Sequence, residues 1–306
     1  MSFSGRRRLY LTLLLIALGA GWGLTQPLAK IAVSEGYLHF GLVFWQVALS
    51  AVVLAVLCIA QRAPLPLHRK ALAFYLLISL LGTIVPNSAL YHAAIYLPSG
   101  ILSVILSLVP IIAFPIALAL ATDHFSWRRL IGLLCGLTAV ALLSLPGESL
   151  HRSGALIFLA LALTAPTLYA LEGNILAKWG RAGLSPIQLL LGASLVGVAI
   201  SGPLAVMTGQ WIDLRPPWRS PDLAILLLGS MHALVYASYI WLVGQAGVVF
   251  AAQASYLVTG FGVLWAMLIL GERYSNTFWI SLALMMVGLF LVRPRKATVD
   301  DGPVAG

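Results

Sequence analysis

Two ionisable side chains stand in stretches otherwise too apolar for them. Glu172 lies within LTAPTLYALEGNILAKW, residues 163–179, and His232 lies about ten residues into an apolar run starting near Pro221. An unpaired charge at the centre of a bilayer costs about 2.5–3.5 kcal/mol on insertion scales, so such groups turn to a wet cavity or to a partner. A carboxylate in that setting can carry a proton or meet an amine. The bland account of Glu172 is a side chain that snorkels to the nearer interface or pairs with a structural Lys or Arg. His232 can likewise carry a proton or serve only as a neutral hydrogen-bonding group between helices.

Helical spacing gives both residues company, because positions three and four apart share a face. Tyr169 precedes Glu172 by one turn, and Tyr236 and Tyr239 follow His232 at i+4 and i+7. Asn87 and Tyr91 form an i, i+4 pair, as do Trp22 and Gln26, with Pro27 and Lys30 just beyond. Ser99, Ser103 and Ser107 make a small polar stripe, and Gln253, Tyr256 and Thr259 hold similar places much later. Such a stripe either lets helices pack closely or lines a path. Gln46 and Trp45 add a weaker signal, and His92 and Tyr96 fit an interfacial aromatic belt.

The surrounding composition sets the solvent. Hydrophobic residues make up 61% of the 306, charged residues only 9%, and the mean hydropathy is +0.99. A soluble domain carries roughly 25% charged residues, so the chain reads as an integral membrane protein. Apolar runs near the roughly 20 residues a spanning helix needs argue for helices over a barrel. Ten spans are expected, at about 9–33, 38–60, 71–96, 99–121, 127–146, 153–179, 185–208, 221–245, 248–270 and 275–293. Pro27 and Pro166 are expected to kink the first and sixth. Arg6-Arg7-Arg8 before Leu9 imitates a secretory signal, but the apolar run continues to Lys30, so an uncleaved first helix is expected.

The formal charge of +9 does not point to nucleic acid, because the basic residues sit in short loops and termini. Thirteen of them, from Arg6, Arg7 and Arg8 through Arg62, Arg69, Lys70, Arg128, Arg129, Lys178 and Arg181 to Arg293, Arg295 and Lys296, fall on one side of the expected topology. Only Arg152, Arg215, Arg219 and Arg273 fall on the other. That bias places both termini in the cytoplasm of a multi-pass protein of the inner (plasma) membrane. Lys30, about 31 Å along its helix from Leu9 at 1.5 Å per residue, is expected to snorkel outward near Glu35, and Lys178 inward. Cys58 and Cys135 lie in apolar runs, so neither disulfide nor metal site is expected. No cofactor motif and no catalytic motif is present.

The chain repeats itself. Leu28-Ala29-Lys30 matches Leu176-Ala177-Lys178, an offset of 178 − 30 = 148. Leu108-Val109 matches Leu257-Val258, and Asp123 matches Glu272, at 272 − 123 = 149. The expected fold is all-α, ten transmembrane helices as two inverted five-helix repeats, 1–149 and 150–296, with a disordered tail at 297–306. Five spans per copy turn the second copy upside down, an arrangement that supports alternating access. In the fifth span, Gly132-x-x-x-Gly136 permits close contact or a homodimer.

Trp22-Gly23 seven residues before Lys30, Tyr169 in the matching helix, and Gly271-Glu272 after a long apolar run resemble the EamA family of the drug/metabolite transporter superfamily. The likeness spans essentially the whole chain. In the first half the Gly-Glu position reads Thr122-Asp123, and Glu172 stands where the resemblance implies a small or hydroxyl residue. It implies export of small metabolites, with amino-acid exporters of the YddG type as one branch and drug effluxers as another. The expected protein is therefore a secondary transporter for amino acids or, alternatively, for cationic compounds, with an intramembrane enzyme or a channel as rivals of another class. Its expected solute-binding set is Trp22, Gln26, Asn87, Tyr91, Ser107, Tyr169, Glu172, His232, Tyr236, Tyr239, Gln253 and Tyr256. Glu172 and His232 are the candidates for proton coupling.

Overall fold

The computed structural model describes residues 3–144, 155–246, 248–251 and 253–292. Among these every regular element is helical. The first half comprises α1 (Phe3–Ser34), α2 (His39–Ala60), α3 (Arg69–Ser79), a π turn (Leu80–Ile84), α4 (Val85–Tyr96), α5 (Ser99–Leu106), α6 (Val109–Ala119) and α7 (Trp127–Leu143). The second comprises α8 (Ala155–Trp179), α9 (Pro186–Met207), α10 (Ser220–Ala246), α11 (Val248–Ala251), α12 (Ala254–Leu270) and α13 (Asn276–Leu291). Seven stretches among the described residues are long and apolar enough to cross a membrane: Leu9–Ser34, His39–Ala60, Arg69–Tyr96, Ser99–Ala119, Leu156–Trp179, Pro186–Met207 and Ser220–Tyr239. α12 and α13 are shorter apolar helices. The expected tail at 297–306, and Arg152, Arg293, Arg295 and Lys296, lie outside the described residues.

Local chemistry sets the helix ends. Ser185 and Gln188 form a reciprocal capping box ahead of Pro186 at the start of α9, which satisfies amides that have no partner in the first turn. The Ser275 hydroxyl accepts from the Phe278 amide at the start of α13. At the start of α10, Asp222 accepts from the Arg219 amide at 2.8 Å and from the Tyr37 hydroxyl at 2.5 Å. Burial, then the bond to Asp222, pushes the Tyr37 hydroxyl above its ordinary pKa.

Three spans expected to be continuous are interrupted. Pro86 has no N–H, and its ring would meet the carbonyl of Gly82 in a regular helix. The chain widens there into the π turn Leu80–Ile84. Pro110, which also lacks an N–H, interrupts the fourth span by a tightening instead. Before it, Ser107 N–H donates to the Val104 carbonyl at 3.2 Å and Leu108 N–H to Ile105 at 3.0 Å, a tight i−3 pattern that separates α5 from α6. The ninth span breaks at the matching place without a proline: Tyr256 N–H donates to the Gln253 carbonyl, also at 3.2 Å. Both members of that bond stand 149 residues beyond their first-half equivalents (256 − 107 and 253 − 104). α1 and α8, by contrast, run through Pro27 and Pro166 as single helices.

The packing is chiefly between halves. α1 lies against α10 and α12, while α8 lies against α4 and α6. α2 pairs with α9, α5 with α12, and α7 with α13. Exchanging the two halves maps these pairings onto one another. The largest apolar core joins α4, α5 and α6 to residues of α8, α10 and α13.

The Gly132/Gly136 face makes the close helix contact that its spacing permits. Both glycines are buried within the chain. A Cβ on Gly132 would stand 2.8 Å from the Gly288 carbonyl oxygen of α13, and one on Gly136 would stand 2.8 Å from Ile111 of α6. The close approach that two small residues allow is used by α13 and α6, so this face is not available to a second copy.

Candidate functional site

At the junction of the halves, four side chains from three helices form a hydrogen-bonded chain. Tyr169 of α8 donates its hydroxyl to Asn87 Oδ1 of α4 at 2.7 Å. Asn87 Nδ2 donates to Gln46 Oε1 of α2 at 3.1 Å. The Tyr91 hydroxyl, one turn beyond Asn87, donates to the same Gln46 oxygen. Gln46, Asn87 and Tyr91 are all buried, where an unmatched donor or acceptor would be costly. The i, i+4 spacing of Asn87 and Tyr91 explains how one helix offers two donors to one acceptor.

Glu172 sits beside this chain. Its carboxylate packs on Gly82 in the π turn: a Cβ there would stand 2.5 Å from Oε2 and 2.7 Å from Oε1. The absence of a side chain at 82 thus makes room for the acid, and π turns often mark functional sites. Glu172 forms no ion pair among the described residues. The hydroxyls of Tyr169 and Tyr236 both lie within its electrostatic reach. The structure therefore does not show the structural cation that one sequence reading required.

Aromatic residues close the other flank. Trp22 of α1 meets Tyr236 edge-on at 5.8 Å and Tyr239 at 5.6 Å between ring centroids. His232 lies 6.4 Å from Tyr236. A cavity of about 30 Å³ is lined by Gln46, Ser50, Thr83, Ser194, His232 and Tyr236, among others. That volume suits a water rather than a larger solute. The Ser50 hydroxyl donates to the Gly229 carbonyl at 3.2 Å.

Eight of the twelve expected residues thus meet: Trp22, Asn87, Tyr91, Tyr169, Glu172, His232, Tyr236 and Tyr239. Four are placed otherwise. Gln26 is buried on α1 and donates to Thr25 at 3.5 Å. Ser107 donates to the Val104 carbonyl at 2.6 Å and serves the α5–α6 break. Gln253 is exposed in the turn before α12. Tyr256 packs on the main apolar core. The stripe was therefore partly a helix-break signature. Gln46 gained a central place that its isolation in an apolar helix only hinted at. Gly82, Thr83 and Ser194 gave no signal in the sequence.

Lys30 also differs from its expected snorkelling. Its Nζ donates to the carbonyls of Ala94 at 2.6 Å, Leu97 at 3.2 Å and Ile95 at 3.4 Å. The last carbonyls of a helix have no intrahelical partner and attract a cation. No cluster of three or more metal-ligating side chains occurs among the described residues.

With spans, halves and a polar centre in view, the chain is a multi-pass membrane protein with the character of a small-solute transporter. It belongs to the EamA-like transporter family, whose sequence profile matches residues 9–145 and again 156–293. No curated protein matches it. A solved structure titled "Crystal structure of protein" is similar in fold, with a TM-score of 0.64 and 16% identity over 92% of this chain and 97% of the other. Membership makes the chain a transporter of small substrates in the drug/metabolite transporter superfamily.

Proposed function

We propose that the chain is a secondary carrier that exports small metabolites, amino acids foremost, by alternating access around the Glu172–Gln46 site. Ten spans in two inverted halves, 1–149 and 150–296, rock about that site. The carrying observation is a carboxylate without an ion pair among the described residues, set against Gly82 one helical turn from Tyr169, which is itself bonded to the buried Asn87–Gln46 pair. Glu172 takes the amino group of the solute and is the candidate coupling group for protons, with His232 the second. Gln46 holds two donors on Oε1. Its Nε2 is thus the group it offers to the cavity it lines, a donor suited to a solute carboxylate. Lys and Arg distribution supports the inner (plasma) membrane with both termini cytoplasmic.

A second reading is carriage of cationic compounds. The cluster of Trp22, Tyr236 and Tyr239 rings favours it, since aromatic faces attract cations. An intramembrane enzyme has weaker support, because Glu172 and His232 belong to no recognisable catalytic motif.

Purified protein in liposomes, offered a labelled amino-acid panel and cationic drugs with and without a pH gradient, tests these readings. Saturable counterflow marks a carrier and its lack a channel. If the gradient changes nothing and Glu172→Gln transports normally, proton coupling through Glu172 is wrong.

A further inference from the structure

Thr83 of the π turn and Ser194 of α9 line one cavity, in company with Gln46, Ser50, His232 and Tyr236. Hydroxyls within helices commonly bond back to a carbonyl one turn earlier, as those of Ser103, Ser201 and Thr259 do. Thr83 and Ser194 do not. Neither hydroxyl has a hydrogen-bond partner among the described residues. Gln46 Nε2 has none either, since Asn87 and Tyr91 both bond to Oε1. An amide N–H can only donate, and a hydroxyl donates or accepts. No carboxylate is among the lining side chains. The set therefore suits a ligand group that only accepts. The cavity of about 30 Å³ is roughly two to three times what one water needs. It has room for the two oxygens of a carboxylate and not for a whole solute.

The π turn relates this cavity to the acid. Gly82, the residue before Thr83, packs on the Glu172 carboxylate. Consecutive Cα atoms are about 3.8 Å apart, so the acid and the cavity flank neighbouring residues of one turn. A hydrogen-bonded path joins the same two places from the other side. Tyr169, one turn before Glu172, bonds to Asn87, and Asn87 bonds to Gln46. In an α-amino acid the ammonium and carboxylate share one carbon, which suits two subsites so placed. In a γ-amino acid two further methylenes hold the charges apart.

We propose that Thr83 and Ser194, with Gln46 Nε2, form a carboxylate subsite, and that the solutes are α-amino acids held between it and Glu172. The proposal rests on the amino-acid carrier reading and deepens it. Three elements, α2, the π turn and α9, each supply one neutral donor. Thr83 and Ser194 are then the residues that separate amino acids from the corresponding amines, and the one-residue step from Gly82 to Thr83 separates α-amino acids from longer ones.

Thr83→Val and Ser194→Ala remove the hydroxyls with little change of shape. The full chain in liposomes is offered a labelled amino-acid panel, the matching decarboxylated amines and γ-aminobutyrate. Each variant raises KM for the amino acids about tenfold, the scale of one hydrogen bond to a charged group, with kcat and the amines unchanged. Thr83→Ser keeps the hydroxyl and the wild-type KM. The wild type carries γ-aminobutyrate about tenfold less well than the α-amino acids, for want of the same bonds. Melting temperatures do not fall in Thr83→Val or Ser194→Ala, because neither hydroxyl has a partner to lose in the empty protein; a fall in either would count against the subsite. Equal losses for amino acids and amines, or no loss for either, would mean that the cavity holds only water, and the proposal fails while the carrier reading stands. γ-Aminobutyrate carried as well as the α-amino acids overturns the assigned spacing. A wild type that carries amines and no amino acid overturns the amino-acid reading itself, and the subsite with it.

Discussion

The carboxylate of Glu172 rests on Gly82, with no room between them for even one methyl group. The contact ties the most unusual charge in the chain to the π turn that Pro86 imposes. Gly82→Ala therefore sets a Cβ against both carboxylate oxygens. The carboxylate is the end of a flexible side chain and can swing aside, so we expect a stability loss of about 1 kcal/mol, the low end for overpacking, and loss of transport. Glu172→Ala in the same chain removes the clash, so the double variant regains thermal stability while transport stays lost. A double-mutant cycle in thermal unfolding measures the coupling. Additive penalties would show that the contact is not close in the folded protein.

Gln46 is the hub of the polar chain, and its two roles separate by substitution. Gln46→Leu leaves the Asn87 amide and the Tyr91 hydroxyl without their shared acceptor, at about 1–3 kcal/mol per unsatisfied buried group. Thermal unfolding should register that loss. Gln46→Glu retains an acceptor but removes the Nε2 donor and adds a negative charge. Its expected signature is weaker transport of amino acids, with the decarboxylated amines less affected. Equal weakening of both classes in competition assays would place the solute carboxylate elsewhere.

How far the sequence disclosed this arrangement depends on the kind of signal. The helical stretches were legible because apolar runs of that length have one economical form in a bilayer. The repeat was legible from a few polar matches, and its register reappears in the bonds at Ser107 and Tyr256. Asn87 with Tyr91, and Tyr236 with Tyr239, were legible because helical spacing puts them on one face. Gln46 was under-read because a lone amide in an apolar helix has no periodic partner; its partners come from α4. Lys30 was misplaced because distance along a helix gives depth but not neighbours. The pocket for Glu172 was invisible, since it depends on a widened turn and on the missing side chain at Gly82.

Gly132→Leu tests how the small-residue face of α7 is used. A Cβ at 132 would stand 2.6 Å from Val292 and 2.8 Å from the Gly288 carbonyl. The larger side chain must part α7 from α13, so a loss of about 1–3 kcal/mol or more is expected. Light scattering in detergent should show the same particle mass as the wild type at temperatures where both are folded. A change of mass without loss of stability would return this face to an interface between copies.

Trp22 discriminates between the two substrate classes. It meets Tyr236 and Tyr239 edge-on, and such aromatic contacts contribute about 0.5–1.5 kcal/mol each beyond area burial. Trp22→Leu keeps an apolar filler but removes the ring face. If the site holds cations on aromatic faces, drug transport falls by about thirtyfold, since desolvated cation–π contacts are worth roughly 2 kcal/mol, while small aliphatic amino acids are spared. If the amino group is held by Glu172, as proposed, aliphatic amino-acid transport falls only modestly in Trp22→Leu and steeply in Glu172→Gln. Competition between a labelled amino acid and a quaternary ammonium compound, run on both variants, separates the outcomes. A steep loss of aliphatic amino-acid transport in Trp22→Leu with Glu172→Gln unaffected would assign recognition to the ring rather than to the acid.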